Sequence, residues 1–497
     1  MANCRVMILN LPSPPGMDVE RDFAGSYGTA SPVRRTHYGH SGDVVFPVFM
    51  PYLATAVTRQ GWSVHIVDGQ AQRLTADALV SAIVEQQPDF IVSLVSLPSI
   101  YGDLTLLGRI KRALPDCVLV IVGAVAKTLA NEVLHKEAVD FLVVGEYPFY
   151  TRPIIELVRA WQAGALPFGR VVTPAAQEGA STDARGDSAG AESGQSLDDL
   201  DLDVYRAFPM DKYHYAYLGT YGELVNYFPI VSSKGCPFPC AYCPYPVGFG
   251  KTISYKSPER LVDEMTFLHD EFGIRAFLFR DQVFTARRER VQETCERILA
   301  RRLEVQWLLE TRVDKVRDDL LMKMRRAGCN RIHYGIETGD ADLLRQVGKP
   351  GVDKQTAIEA FRKTASLGIR TVAHVIVGLP GETRETLANT YEFLGELDAD
   401  NTSWNFATPY PGTALFDEAN RKGLILTCDW TRYNTNEVVM RTEKLSGPEL
   451  SSLVRTLSRR DRTRKVLKRM RRAMYDKRDR EYVVRRSLRK LAARAGG

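Results

Sequence analysis

Two stretches of this 497-residue chain alternate short apolar, β-branched runs with amphipathic segments at helical spacing, and that rhythm constrains the fold more than any other feature. In the first stretch the strand-like runs are Arg5–Leu9, Ser63–Val67, Phe90–Val95, Val118–Gly123 and Phe141–Gly145. Helix-compatible segments such as Pro51–Arg59, Thr75–Gln86, Leu104–Ala113 and Thr128–His135 separate them. Largely apolar strands that alternate with helices pair in parallel and are covered on both faces. Residues 1–165 are therefore expected to form a doubly wound, Rossmann-like α/β domain, with ligands at the carboxyl ends of its strands. The candidate edge loops are Asn10–Gly16, Asp68–Gln70, Val95–Tyr101, Gly123–Lys127 and Gly145–Pro148.

The second series starts near Tyr227. Its strand-like runs are Phe228–Ser232, Ala276–Phe279, Val305–Leu309, Arg331–Gly335, Val372–Val377 and Ser403–Ala407. Between them lie Pro258–His269, Arg287–Ala300, Leu320–Ala327, Lys354–Leu367 and Thr383–Leu397. Six βα units predict a partial (β/α)6 barrel within residues 200–440, with chemistry at the C-terminal strand ends. Residues 173–195 are rich in Gly, Ala, Ser and Asp and nearly free of large apolar side chains, so a flexible linker is expected over 173–196.

Charge is unevenly placed. The net +6 conceals a tail, residues 455–497, holding 18 Lys and Arg against 4 Asp and Glu, which leaves the rest of the chain at −8. Residues 441–497 are expected to be a basic helical region, and the apolar residues from Leu453 to Leu491 give it an amphipathic pattern. Packing on the acidic body is the preferred role; an anionic substrate, a membrane surface or RNA is the alternative partner. No run approaches the roughly 18 apolar residues of a membrane span, and the start lacks the pattern of a secretory leader. A cytoplasmic protein without integral membrane segments is expected, with nucleic acid disfavoured because no RNA-binding domain is evident.

Eight cysteines are too few for a disulfide framework, and five are scattered singly. The other three fall in Cys236-Pro237-Phe238-Pro239-Cys240-Ala241-Tyr242-Cys243, directly after the first barrel strand. Zinc would want a fourth ligand, for which His214 is nearest. An iron–sulfur cubane held by three cysteines keeps one iron open to another ligand.

This loop resembles that of radical S-adenosylmethionine (SAM) enzymes, and the resemblance extends over Phe228 to Thr435. It implies that Cys236, Cys240 and Cys243 hold a [4Fe–4S] cluster, whose open iron is chelated by SAM. Cleavage of SAM then yields a 5′-deoxyadenosyl radical, with a flavodoxin or ferredoxin as reductant. It further implies cofactor-binding roles for Tyr242 near the adenine, Asp281 after the second strand, Arg312 after the third, Glu337 at the end of the fourth and Gly378 after the fifth. A non-catalytic electron carrier or an RNA-modifying enzyme is the rival class.

The doubly wound domain in front resembles that of the cobalamin-binding subclass. The chain lacks the D-x-H-x-x-G motif, and Gly123-Ala124-Val125-Ala126-Lys127 stands where relatives commonly show Gly-Gly followed by Pro or Ser and His. Cobalamin is therefore left open. Among non-methylating relatives the chain looks most like the radical SAM diol-dehydratase of aminoglycoside antibiotic pathways, acting on paromamine. That resemblance implies radical dehydration of a polyol or aminosugar, with an NAD(P)H-dependent reductase acting on the product; cobalamin-dependent C-methylation is the alternative. Tyr215 and Tyr217 in the tyrosine-rich stretch that includes Tyr221, together with Glu310, are the catalytic candidates, and His333 and His374 are further acid/base candidates if they point inward.

Overall fold

The structure, a computed structural model, describes residues 4–32, 43–134, 139–145, 150–166, 170–172, 196–218, 223–349 and 352–495. The segment expected to be a linker falls outside them but for Ser196, as do Tyr221 and part of the loop Gly145–Pro148. No described helix is long and apolar enough to cross a membrane.

The first series forms β1 (Arg5–Asn10), a hairpin of β2 (Met17–Glu20) and β3 (Thr29–Pro32), then β4 (Ser63–Asp68), β5 (Phe90–Leu94), β6 (Val118–Val122), β7 (Phe141–Val143) and β8 (Val171–Val172). Apart from the hairpin they make one parallel sheet, ordered β4-β1-β5-β6-β7-β8. Chain direction from β1 diverges to β4 on one side and β5 on the other, so the switch-point crevice lies at the carboxyl ends of β1 and β5.

That crevice is filled by the hairpin. Arg21 donates to the carbonyls of Leu11 and Pro12 beyond β1, at 2.6 and 3.1 Å, and pairs at 2.8 Å with Asp103 in the helix after β5. Both side chains are almost completely buried. Ser26 accepts from the backbone N–H of Ala124 at 2.8 Å, and Leu97 N–H donates to the Tyr27 carbonyl at 2.8 Å. The expected edge loop Gly123–Lys127 is consequently helical from Ala124 to Thr128, started by Gly123 at φ +105°. That positive φ would strain any side chain, and a Cβ at Gly123 would also meet the Leu94 side chain, so glycine suits the turn.

After β9 (Ala216–Leu218) and β10 (Leu224–Asn226), an antiparallel pair, come β11 (Phe228–Ile230), the short pair β12 (Ser233–Lys234) and β13 (Ser254–Tyr255), then β14 (Ala276–Phe279), β15 (Gln306–Thr311), β16 (Cys329–Glu337), β17 (Arg370–Val377) and β18 (Asn401–Phe406). The six-stranded parallel sheet runs β11-β14-β15-β16-β17-β18, the expected half-barrel in its expected order. Its outer helices start where the sequence signals them: Ser257 caps Pro258–Phe272 and Gly273 ends it in the left-handed region.

The hairpin also joins the two sheets. Arg280, after β14, reaches Glu20 and Asp22 at 3.7 and 3.8 Å and lies over the Phe23 ring. A Cβ at Gly25 or Gly248 would collide with backbone of the opposite segment. The basic tail forms helices Gly447–Ala473 and Lys477–Ala495; the first lies against β18 and the helix Arg384–Leu397. Lys468 and Arg472 pair with Asp398, while Arg370 bridges Asp400 and Asp479 at 2.7 and 3.1 Å. The tail thus docks on acidic groups of the barrel.

Replacing Asp103 by Ala leaves the Arg21 guanidinium buried without its carboxylate, which costs about 3–5 kcal/mol. Urea denaturation followed by tryptophan fluorescence should show the lowered midpoint; an unchanged midpoint would show that the pair does not hold the crevice.

Candidate functional site

The cysteine loop leaves the barrel between β12 and α-helix Tyr245–Phe249. Gly235, at φ +84°, packs where a Cβ would overlap the Thr252 carbonyl. Backbone bonds then fix the loop: Cys236 N–H to Gly250 O at 3.1 Å, Ala241 N–H to Val347 O at 2.9 Å and Leu415 N–H to Ala241 O at 2.9 Å. Three prolines keep the loop out of regular structure, so its thiols face inward onto a shared cavity instead of packing in a helix. All three are free, and burial pushes each thiol up, with a neighbouring thiol adding to the effect at Cys236 and Cys243 and Glu337 adding to it at Cys240.

The cavity, about 470 Å³, lies between the hairpin, the cysteine loop and the open end of the barrel. Tyr242, Glu337 and Lys349 form one wall, where the Lys349 ammonium pairs with the Glu337 carboxylate and donates to Gly335 O at 3.0 Å. Glu337 sits at φ +63°, beside an irregularity in the β16–β17 register, a strained position for a non-glycine residue. Arg312 pairs with Asp314 at 2.8 Å and lies over the Phe238 ring.

Deeper in the barrel, Glu310, His333 and His374 converge from β15, β16 and β17. His374 Nε2 is 3.3 Å from His333 Nδ1, which is 3.8 Å from the Glu310 carboxylate. Burial pushes His333 down to about 4, against the pull of Glu310. Burial alone would raise the Glu310 carboxyl, but His333 and His374 hold it down to about 2. Tyr215 and Tyr217 share a hydroxyl contact of 2.7 Å, and burial raises both phenols.

The structure therefore brings together Cys236, Cys240, Cys243, Tyr242, Arg312, Glu337, Tyr215, Tyr217, Glu310, His333 and His374. Two expected residues are not among the cavity's lining. Asp281 turns into the fold, accepting from Ser232 N–H at 2.9 Å and from the Ser232 and Ser233 hydroxyls, and so fastens the strand leading to the cysteine loop. Gly378 faces Leu450 and Ala407, and its N–H donates to Glu382. Lys349 was missed; the turn-forming Val347-Gly348-Lys349-Pro350 was its signal, since Gly348 lies where a Cβ would crowd Pro239 of the cysteine loop. The hairpin wall, with Asp18, Glu20 and Phe23, was missed too.

These donors discriminate between ligands. Zinc–thiolate bonds of about 2.3 Å put sulfurs roughly 3.8 Å apart. Among the described residues, the one set of three His, Cys, Asp or Glu donor atoms within 4.8 Å of one another is that of Glu310, His333 and His374. Zinc on the three thiols would still want a fourth ligand, and His214 does not line the cavity, its ring Nδ1 lying 3.1 Å from the Lys212 carbonyl. Three thiolates on one wall fit a [4Fe–4S] cluster with an open iron. Tyr242, Lys349, Arg312 and Glu337 fit SAM, offering charges of both signs to its amino and carboxylate groups. At the carboxyl edge of the first sheet, where a corrin would lie, Arg21, Ser26 and Tyr27 pack against the strand ends, so a corrin there would have to displace the hairpin.

A thiol-rich loop on the first strand of a parallel half-barrel, fronted by a doubly wound sheet, defines a cluster-bearing radical enzyme. Residues 230–394 match the radical SAM superfamily and residues 36–148 the B12 binding domain. An uncharacterized methyltransferase of Pyrococcus horikoshii is 30% identical over 411 residues, 82% of this chain and 86% of that protein. The anaerobic magnesium-protoporphyrin IX monomethyl ester cyclase of Cereibacter sphaeroides is 30% identical over 433 residues, 85% of this chain and 68% of that protein. The solved methyltransferase TsrM from Kitasatospora setae, with cobalamin and a [4Fe–4S] cluster bound, superposes with a TM-score of 0.62 at 17% identity, covering 85% of this chain and 75% of that one. The chain belongs to the radical SAM enzymes that carry an N-terminal B12-binding domain. Its cofactors are a [4Fe–4S] cluster and SAM, and cobalamin is the ligand for which its first domain is named.

Changing Lys349 to Met removes the partner of Glu337 while sparing the thiols. SAM affinity, measured by equilibrium dialysis on cluster-loaded protein, should fall about tenfold or more, with the iron content unchanged. Equal affinity would place SAM elsewhere.

Proposed function

We propose that this protein is a radical SAM methyltransferase acting on an unreactive carbon of a small polar molecule. The observation that supports it is the pairing of a radical SAM barrel with a B12-binding domain in a chain 30% identical to a methyltransferase over most of both lengths. The cavity, about 470 Å³, takes SAM as well as substrate, and Tyr215, Tyr217, Glu310 and His374 in its lining suit a polar molecule.

When bound, the cluster and SAM, fed one electron by an external reductant, supply a carbon-centred radical able to take hydrogen from the substrate. The protein's residues position and protect. Lys349, Glu337 and Arg312 hold the charged end of SAM beside the thiols. Phe23 and Tyr245 from the hairpin side keep water from the reacting carbon. Tyr215 and Tyr217, kept protonated by burial, offer a hydroxyl pair to a substrate oxygen. Glu310, held ionised, is placed to accept from a substrate donor.

A second reading, radical dehydration of a vicinal diol, is favoured by one observation: the hairpin closes the sheet edge where a methyl-carrying corrin would lie. The two readings differ in their by-products. Anaerobic protein with reconstituted cluster, given a small-metabolite extract and SAM labelled in its methyl group, should form S-adenosylhomocysteine in step with a labelled product and take up cobalamin. A product lighter by one water, without label or S-adenosylhomocysteine, would overturn methylation in favour of dehydration.

A further inference from the structure

We propose that Glu310, His333 and His374 form a second metal site on the floor of the cavity, separate from the cysteines, which takes a divalent transition-metal ion and presents it to an oxygen donor of the substrate. The three side chains come from three adjacent parallel strands. Glu310 and His333 are register partners across β15 and β16, and His374 pairs with Gly335, two residues beyond His333. Because side chains alternate faces along a strand, this register puts all three on the inner face.

The spacing suits a shared ion better than a hydrogen-bonded group. One nitrogen, His333 Nδ1, faces both other donors, at 3.3 Å from His374 Nε2 and 3.8 Å from the Glu310 carboxylate. A neutral imidazole carries a single N–H, and 3.8 Å exceeds a hydrogen bond, so Nδ1 cannot serve both neighbours. The other His333 nitrogen, Nε2, is buried and has no hydrogen-bond partner, so the ring is not anchored by an alternative network. An ion with bonds of about 2.1 Å to nitrogen and oxygen holds neighbouring donors roughly 3–3.5 Å apart, which a shift of a few tenths of an ångström to about an ångström would supply here. All three donor atoms already lie within 4.8 Å of one another.

The donor set defines the ion's class. Two imidazoles and one carboxylate, with cavity on the remaining side, are the ligands of zinc or iron(II) sites that keep open positions. A single carboxylate leaves a divalent ion with net positive charge, so the open positions favour an anionic or easily ionised oxygen, a carboxylate or a hydroxyl. Tyr215, Tyr217 and Ser403 line the same space and are placed to bind the rest of such a group. An oxygen held there would be aimed from the barrel floor toward the thiol-bearing wall, which orients a neighbouring carbon for hydrogen abstraction. The inference holds under either reading of the reaction.

The test uses full-length protein with its cluster reconstituted, exposed anaerobically to micromolar Zn²⁺ and desalted. Wild type should retain one zinc per chain beyond the cluster iron, and X-ray absorption at the zinc edge should show nitrogen and oxygen neighbours only. Glu310→Gln, close in shape to the native residue, should weaken retention about tenfold or more, and the His333→Asn/His374→Asn double variant should abolish it, both keeping wild-type iron content. Melting temperatures identify a variant that fails to fold, in which case Glu310→Gln alone decides. Zinc retained equally by the variants, no zinc retained by wild type, or sulfur neighbours at about 2.3 Å would each overturn the site.

Discussion

The hairpin between the two parallel sheets packs against both of them, and that fit shapes one wall of the cavity. Gly25 and Gly248 approach so closely that neither tolerates a side chain, while Arg280 carries the barrel's charge into the acidic pair Glu20 and Asp22. Burial lifts Glu20 to about 7, with Arg280 opposing, so the contact combines a proton-sensitive carboxyl with a fixed cation. Tyr27 adds a hydroxyl donated to the Pro411 carbonyl beyond β18. Removing the hairpin would separate the cysteine loop from its facing wall and open the thiols to water.

The strands of both sheets were legible in the sequence because apolar β-branched runs must be buried on both faces, which leaves little freedom of assignment. The hairpin was not, since Met17–Glu20 and Thr29–Pro32 carry no alternation that long-range burial would enforce; its residues are ordered by Arg21 finding Asp103. The same limit explains Asp281 and Gly378. A strand-end position can be counted along the chain, but the direction of the side chain depends on partners, and Ser232 and Ser233 had already claimed the Asp281 carboxylate. Cys236, Cys240 and Cys243 needed no such knowledge because spacing alone confines them to one loop. Glu310, His333 and His374 were visible singly; their convergence required the register of three strands.

The cavity stores strain where it binds charge. Glu337 holds a left-handed backbone at the end of β16 while Lys349 ties it to the Gly335 carbonyl, so a residue that would relax in isolation is locked by an ion pair with both members buried. Such a pair gives little net stability, because desolvation offsets attraction. Its value lies in placing two opposite charges at a defined separation before any ligand arrives.

A half-barrel, unlike a closed one, ends in free strand edges, and β18 is one of them. An uncovered edge strand is a template on which another chain can add its own. The helix Gly447–Ala473 lies against this strand, with Arg469 donating to the Asp400 carbonyl at 3.1 Å and Lys465 reaching the Thr402 hydroxyl. The basic tail therefore packs along this strand and leaves less of it open to a second chain.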